Sequence, residues 1–324
     1  MKRFGIILII IAVCVILVVW KFIPFSRDVV SPIGQRIIKP LDVYTIENLG
    51  KRSGKPAQIV LDEASATTSA YTVYSFHFIT DGKKVTGLAH IPKGDGPFPV
   101  VVQLRGYIDK EKYVTGDGSK RSAEVFAING FLTLAPDFLG YGGSDNPSSD
   151  VFEERFQTYT TALDLLASVS SMTFADANRL GMWGHSNGGQ IALTVLEILR
   201  KPIPTVLWAP VSKPFPYSIL YYTDEFSDRG KLLRKRLAEF EAYYDVELYS
   251  LPNYIDNISA SIQLHQGMAD DSVPQKWSDE LVGLLKEKEK NVAYYVYPGA
   301  DHNMLGSWNT VVQRNVSFFK ETFQ

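Results

Sequence analysis

Residues 181–196, GMWGHSNGGQIALTVL, set Ser186 between glycines, directly after a short apolar run and directly before a helical pattern of apolar residues. A polar side chain in so cramped a corner is either a solvated loop residue or a nucleophile being aimed. Gly184-His185-Ser186-Asn187-Gly188 has the G-x-S-x-G spacing in which a serine occupies a sharp strand-to-helix turn. Glycines on both sides let neighbouring backbone come close, so Ser186 can hold a strained conformation. The helix after it points its free amides and positive dipole end towards any anion forming at that hydroxyl.

The elements around this turn predict its setting. PVVVQL (99–104), GFLTLAPD (130–137), RLGMWG (179–184), PTVLWAP (204–210), ASIQLHQG (260–267) and NVAYYVYPG (291–299) are short, nearly continuous apolar runs, the pattern of strands buried on both faces. Helical patterns fall between them at 122–129, 155–171, 188–200, 274–290 and 308–322. Such alternation predicts a mostly parallel central sheet with helices on both faces and reactive groups at the carboxyl ends of its strands. Upstream, LDVYTIENLGKRSGKPAQIVLDE (41–63) and AYTVYSFHFITDGKKVTGLAHIP (70–92) read as strands, with a hairpin turn at Asp81-Gly82.

A serine hydroxyl needs a base to take its proton, with a third group to orient that base, in the chain order Ser, Asp or Glu, His. Only His265 and His302 follow Ser186. His265 belongs to an apolar run and reads as a core residue, whereas His302 lies in YPGADHNM, the loop after the last strand. For the carboxylate, HQGMADDSVP offers Asp270 and Asp271, and Asp301 stands beside the histidine. A buried carboxylate in the first of these loops would fix the imidazole tautomer and stabilise the imidazolium.

Taken together, the elbow, LAPDFLGYGGSD (134–145), QGMADDSVP (266–274) and PGADHNM (298–304) resemble an α/β-hydrolase, and most closely the catalytic domain of prolyl oligopeptidase (S9) peptidases and their esterase relatives. The resemblance covers about residues 71–323. It implies catalytic Ser186, Asp270 and His302, with Asp271 left to cap the next helix, and oxyanion donors in the backbone amides of Asn187 and Tyr107. Where relatives commonly carry His-Gly, this chain has Arg105-Gly106 in QLRGYID; the arginine would meet a substrate carboxylate or form a structural ion pair. The stretch between Ser26 and Val100 is too short for a β-propeller at ~40 residues per blade. Either an ester or an amide/peptide bond suits this chemistry, and the readings carried forward are an S9-type peptidase, a small-substrate carboxylesterase or thioesterase, and an inactive binding module on the same fold.

The chain has 324 residues with net charge -2, from 33 basic and 35 acidic side chains, which gives no electrostatic footprint for nucleic acid. No zinc-type spacing or phosphate-binding glycine loop is present, so neither a metal nor a cofactor is expected. At the amino terminus, Phe4 to Trp20 is uncharged, and a helix reaching Ile23 would span ~30 Å, the thickness of a hydrocarbon core. Trp20, Phe22, Ile23 and Phe25 stand where a signal-peptide cleavage site would want small residues. This predicts a single-pass anchor over 1–25 that holds the one cysteine, Cys14. The flanking charges lean towards a cytoplasmic amino terminus, which puts the catalytic domain outside the cytoplasm. Residues 26–70 then form a linker and amino-terminal strands, and 71–324 the catalytic domain. Its aromatic-rich stretch at about 211–257 is expected to form a helical cap over the site.

Overall fold

The computed structural model describes residues 39–52 and 54–324. The predicted anchor, Cys14 and most of the linker therefore lie outside the described residues. Among those described, no helix is long and apolar enough to cross a membrane.

Nine strands form one sheet: β1 (Val60–Thr67), β2 (Tyr71–Thr80), β3 (Lys83–Pro92), β4 (Phe98–Leu104), β5 (Leu132–Pro136), β6 (Ala175–His185), β7 (Thr205–Trp208), β8 (Ile262–Gly267) and β9 (Val292–Tyr297). Their spatial order is β1-β2-β3-β5-β4-β6-β7-β8-β9. The first three strands and β5 pair antiparallel, and every pair from β5 through β4 to β9 is parallel. Asp81 and Gly82 close the β2–β3 hairpin with φ of 46° and 79°, the positive values that a two-residue primed turn requires.

The continuous apolar runs follow from a sheet sandwiched between two helical layers. Successive side chains on a strand face opposite ways, so Val100, Val102 and Leu104 enter one core while Val101 enters the other. The first core lies under helices Val151–Ser168 and Asn187–Leu199, the second under Lys120–Ile128 and Trp308–Thr322. These helices begin and end within a few residues of the predicted bounds.

One expectation is corrected and one is narrowed. The stretch 41–63 is not all strand, because Ile46–Arg52 is a helix. Thr45 accepts a hydrogen bond from the Asn48 amide at its start, and Ile46 and Leu49 share the buried side, a spacing of three that only a helix satisfies. Only Val60–Thr67 at its end forms a strand, and because that strand pairs with β2 the compact unit begins at Pro40 rather than near Tyr71. The 211–257 insertion is helical, but its aromatics do not all wall a site. Phe215, Phe240 and Tyr249 pack against Phe152 and Phe156 of helix Val151–Ser168, whereas Tyr217 and Tyr221 stay exposed around Trp277.

Candidate active site

Strand β6 delivers Ser186 to the carboxyl edge of the sheet, where its backbone takes φ 55° and ψ −119°. A non-glycine residue persists there only if its surroundings hold it. The Ser186 amide donates to the Trp208 carbonyl (2.9 Å), and its own carbonyl accepts from Gly189 (3.0 Å) and Val211 (3.1 Å). The glycines are explained by crowding: a Cβ on Gly184 would stand 2.6 Å from the Gly188 carbonyl, and one on Gly188 would run into the carbonyl of Leu104. Although Ser186 occupies the N-cap position of helix Asn187–Leu199, its side chain makes no capping bond, so the hydroxyl is not engaged by the helix.

His302 and Asp270 meet beside His185, the residue that precedes the serine. Nδ1 of His302 lies 2.8 Å from Oδ2 of Asp270, whose side chain is wholly buried. An ionised carboxylate only accepts, so Nδ1 carries the proton and Nε2 is left as an acceptor. Burial opposes ionisation of Asp270, but bonds from His302 and from the amides of Val273 and Ser272 outweigh it and hold the carboxyl below its ordinary value. The histidine loop is tied to the elbow through His185, whose Nε2 lies 3.0 Å from the His302 carbonyl and whose ring centroid is 4.6 Å from that of His302. Burial, with His302 beside it, lowers His185 to about 4, so it stays neutral and donates from Nε2.

The competing residues have other duties. Asp271 is exposed and bonds Ser272 Oγ; the helix Gln275–Glu287 starts after Pro274 with no side-chain cap, so the expected capping role of Asp271 is absent. Asp301 accepts the amides of Asn303 and Leu305, shaping the histidine loop. His265 is fully buried and bonded to Tyr297, Gln263 and Asn315, a core residue as its apolar run implied.

Gly106 borders the serine from the end of β4, and Tyr107 is the next residue in the chain. A Cβ on Gly106 would come within 3.1 Å of Ser186 Cβ, so this loop rests on the elbow, with Tyr107 71% exposed. Asn187 follows Ser186 as the first residue of the helix. Among the described residues Arg105 forms no ion pair. Its side chain is buried and donates to the carbonyls of Gly106 and Asp137, both at 2.9 Å. Sequence reasoning missed the two rings that flank it, Tyr113 at 4.2 Å and Tyr141 at 4.1 Å, and it missed the tether from His185. The one available signal was the pair of tyrosines within forty residues of a loop arginine.

On the far side of His185, a cavity of about 380 Å³ is walled by Trp183, Trp208 and Trp308 and bordered by Asn303 and the start of helix Lys120–Ile128. It opens beside the imidazole loop.

The prolyl oligopeptidase family model matches residues 119–324, which hold the elbow, the aspartate loop and the histidine loop. The chain belongs to the prolyl oligopeptidase family. Over 208 residues it is 26% identical to the Schizosaccharomyces pombe protein named "Putative dipeptidyl aminopeptidase", a match covering 63% of this chain and 23% of that one. The chain thus spans about a quarter of the length of this curated relative. Acetyl xylan esterase 1 of Thermoanaerobacterium sp. superposes with a TM-score of 0.62 at 18% identity, over 86% of this chain and 93% of the esterase. A puromycin-hydrolysing peptidase of Mycobacterium tuberculosis gives 0.61 at 20% identity, over 80% of this chain and 41% of the peptidase. At these identities the structural likeness is one of fold, the α/β-hydrolase fold.

Proposed function

We propose that this chain cleaves an ester or short peptide bond through an acyl-enzyme formed on Ser186. Ser186 Oγ attacks the carbonyl carbon while its proton passes to His302 Nε2, and the Asn187 and Tyr107 amides receive the charge on the carbonyl oxygen. The tetrahedral adduct collapses as His302 returns the proton to the departing alcohol or amine. Water then adds to the acyl-enzyme, loses a proton to His302, and releases the acid and free Ser186. Asp270 holds the imidazole in the required tautomer throughout.

The observation that carries the reading is the Asp270–His302 pair, bonded at 2.8 Å and tied through His185 to a serine held at positive φ. A fluorophosphonate is expected to label the wild type and not Ser186→Ala; labelling that persists in the variant refutes the nucleophile.

Among the bonds this site could cleave, we favour a small ester. What supports this preference is that a solved structure sharing the fold is an acetyl xylan esterase. Nitrophenyl esters should be turned over faster than aminoacyl nitroanilides; the reverse preference would return the chain to the peptidases. Tethering to a membrane through Phe4–Trp20 belongs to the same reading. Sedimentation of the full chain with membranes at alkaline pH, lost on truncation to Asp28, is the corresponding test.

A further inference from the structure

Arg105 is a buried cation whose polar contacts are two carbonyl oxygens, those of Gly106 and Asp137, while its Nε finds no partner among the described residues. Burying a guanidinium costs free energy unless its charge is met. Here it is met by the faces of Tyr113 and Tyr141, at 4.2 and 4.1 Å on cation–π geometry. Both rings are themselves pinned: Tyr113 donates its hydroxyl to Asp137 Oδ1 (2.7 Å), and Tyr141 donates to the Ile108 carbonyl (3.1 Å). Asp137 is held in turn by Thr86 and Thr115. One of the two carbonyl oxygens that this apparatus holds belongs to Gly106, next to the serine.

That oxygen has a partner across a rigid plane. The bond between Gly106 and Tyr107 is not among the cis peptides, so the Gly106 C=O and the Tyr107 N–H point in opposite directions from one planar unit. Fixing the oxygen fixes the direction of the N–H. The Tyr107 side chain contributes little, being 71% exposed and bonded only to Asp109 two residues away.

We infer that Arg105 is a positioning residue for the oxyanion site: its bond to the Gly106 carbonyl aims the Tyr107 amide at the developing oxyanion. The inference rests on the proposed role of Ser186 and goes beyond it.

The test compares wild type, Arg105→Lys and Arg105→Gln in hydrolysis of a nitrophenyl ester and in inhibition by an arylboronate, which forms a tetrahedral adduct with the serine. A misaimed donor weakens only the tetrahedral state. Arg105→Gln is therefore expected to lose roughly 10- to 100-fold in kcat with KM within about threefold. Its boronate inhibition constant should rise in step with the loss of kcat/KM. Arg105→Lys should recover part of the loss, since an ammonium can reach one of the two carbonyls. If the arginine variants do not fold, Tyr141→Leu, which removes one face of the cage, should show a smaller loss with the same proportionality. An unchanged kcat, or a lower kcat with unchanged boronate affinity, overturns the inference. Persistent labelling of Ser186→Ala would instead refute the nucleophile, whatever the arginine variants do.

Discussion

His302 Nδ1 and Asp270 Oδ2 are 2.8 Å apart although thirty-two positions separate them in the chain, and the next residue, Asp271, is exposed. Strand β8 and its turn decide between the two carboxylates: Asp270 faces inward, where Gln266, Ser272 and Val273 also donate to it. Asp270→Asn should lower kcat for ester hydrolysis by about 10³-fold or more, because an amide at that place no longer enforces the tautomer. Asp271→Asn should stay within about twofold of wild type. Equal losses in both variants would mean that the loop as a whole, and not the buried carboxylate, matters.

The elbow predicts a sharp contrast between two glycines. Gly188→Ala drives a Cβ into the Leu104 carbonyl, and since backbone cannot step aside the variant should lose about 3 kcal/mol or more of stability. Gly283, in the exposed part of helix Gln275–Glu287, has nothing within 4 Å of its would-be Cβ. Gly283→Ala should gain about 0.5–1 kcal/mol. Urea midpoints of the two variants check both signs.

Three buried histidines tie stability to pH. Burial lowers His90 and His185 to about 4 and His265 to about 3, against an ordinary 6.5. Between these values and 6.5 the unfolded chain binds protons that the folded chain does not, so stability is full above 6.5 and falls as pH drops through this window. Each group contributes a slope of about 1.4 kcal/mol per pH unit. Neither ring nitrogen of His90 has a partner among the described residues. His90→Leu should therefore be neutral or stabilising at pH 7 and should flatten the slope of unfolding free energy between pH 5 and 6 by about one proton's worth. An unaltered slope would show that His90 is not neutral in the fold.

Glu197, fully buried in the helix that starts at the elbow, has no partner for either oxygen among the described residues, and burial raises it well above its ordinary 4.5. Here the sign reverses. As pH rises above 4.5 the unfolded chain ionises while the folded one does not, so this residue costs stability at neutral pH. Glu197→Met should raise stability by about 1–3 kcal/mol at pH 7.5 and by less at pH 4.5. A gain that does not change with pH would trace it to packing instead.

The sequence by itself determined the parts that depend on neighbours along the chain. Apolar runs such as PVVVQL announced strands buried on both faces, Asp81-Gly82 announced a hairpin, and the glycines around Ser186 announced an elbow, because strand pleat, turn sterics and helix period all act over a few residues. One local signal, the Thr45 cap with Ile46 and Leu49, was legible and misread as strand. Tertiary structure alone decided the rest: which of two adjacent aspartates turns inward, why Arg105 packs on two tyrosines, and where the aromatics of the 211–257 insertion are spent. Those outcomes hinge on side chains tens of residues apart meeting at the edge of one sheet. No pattern along the chain records which of two equally charged or equally aromatic neighbours that closure will bury.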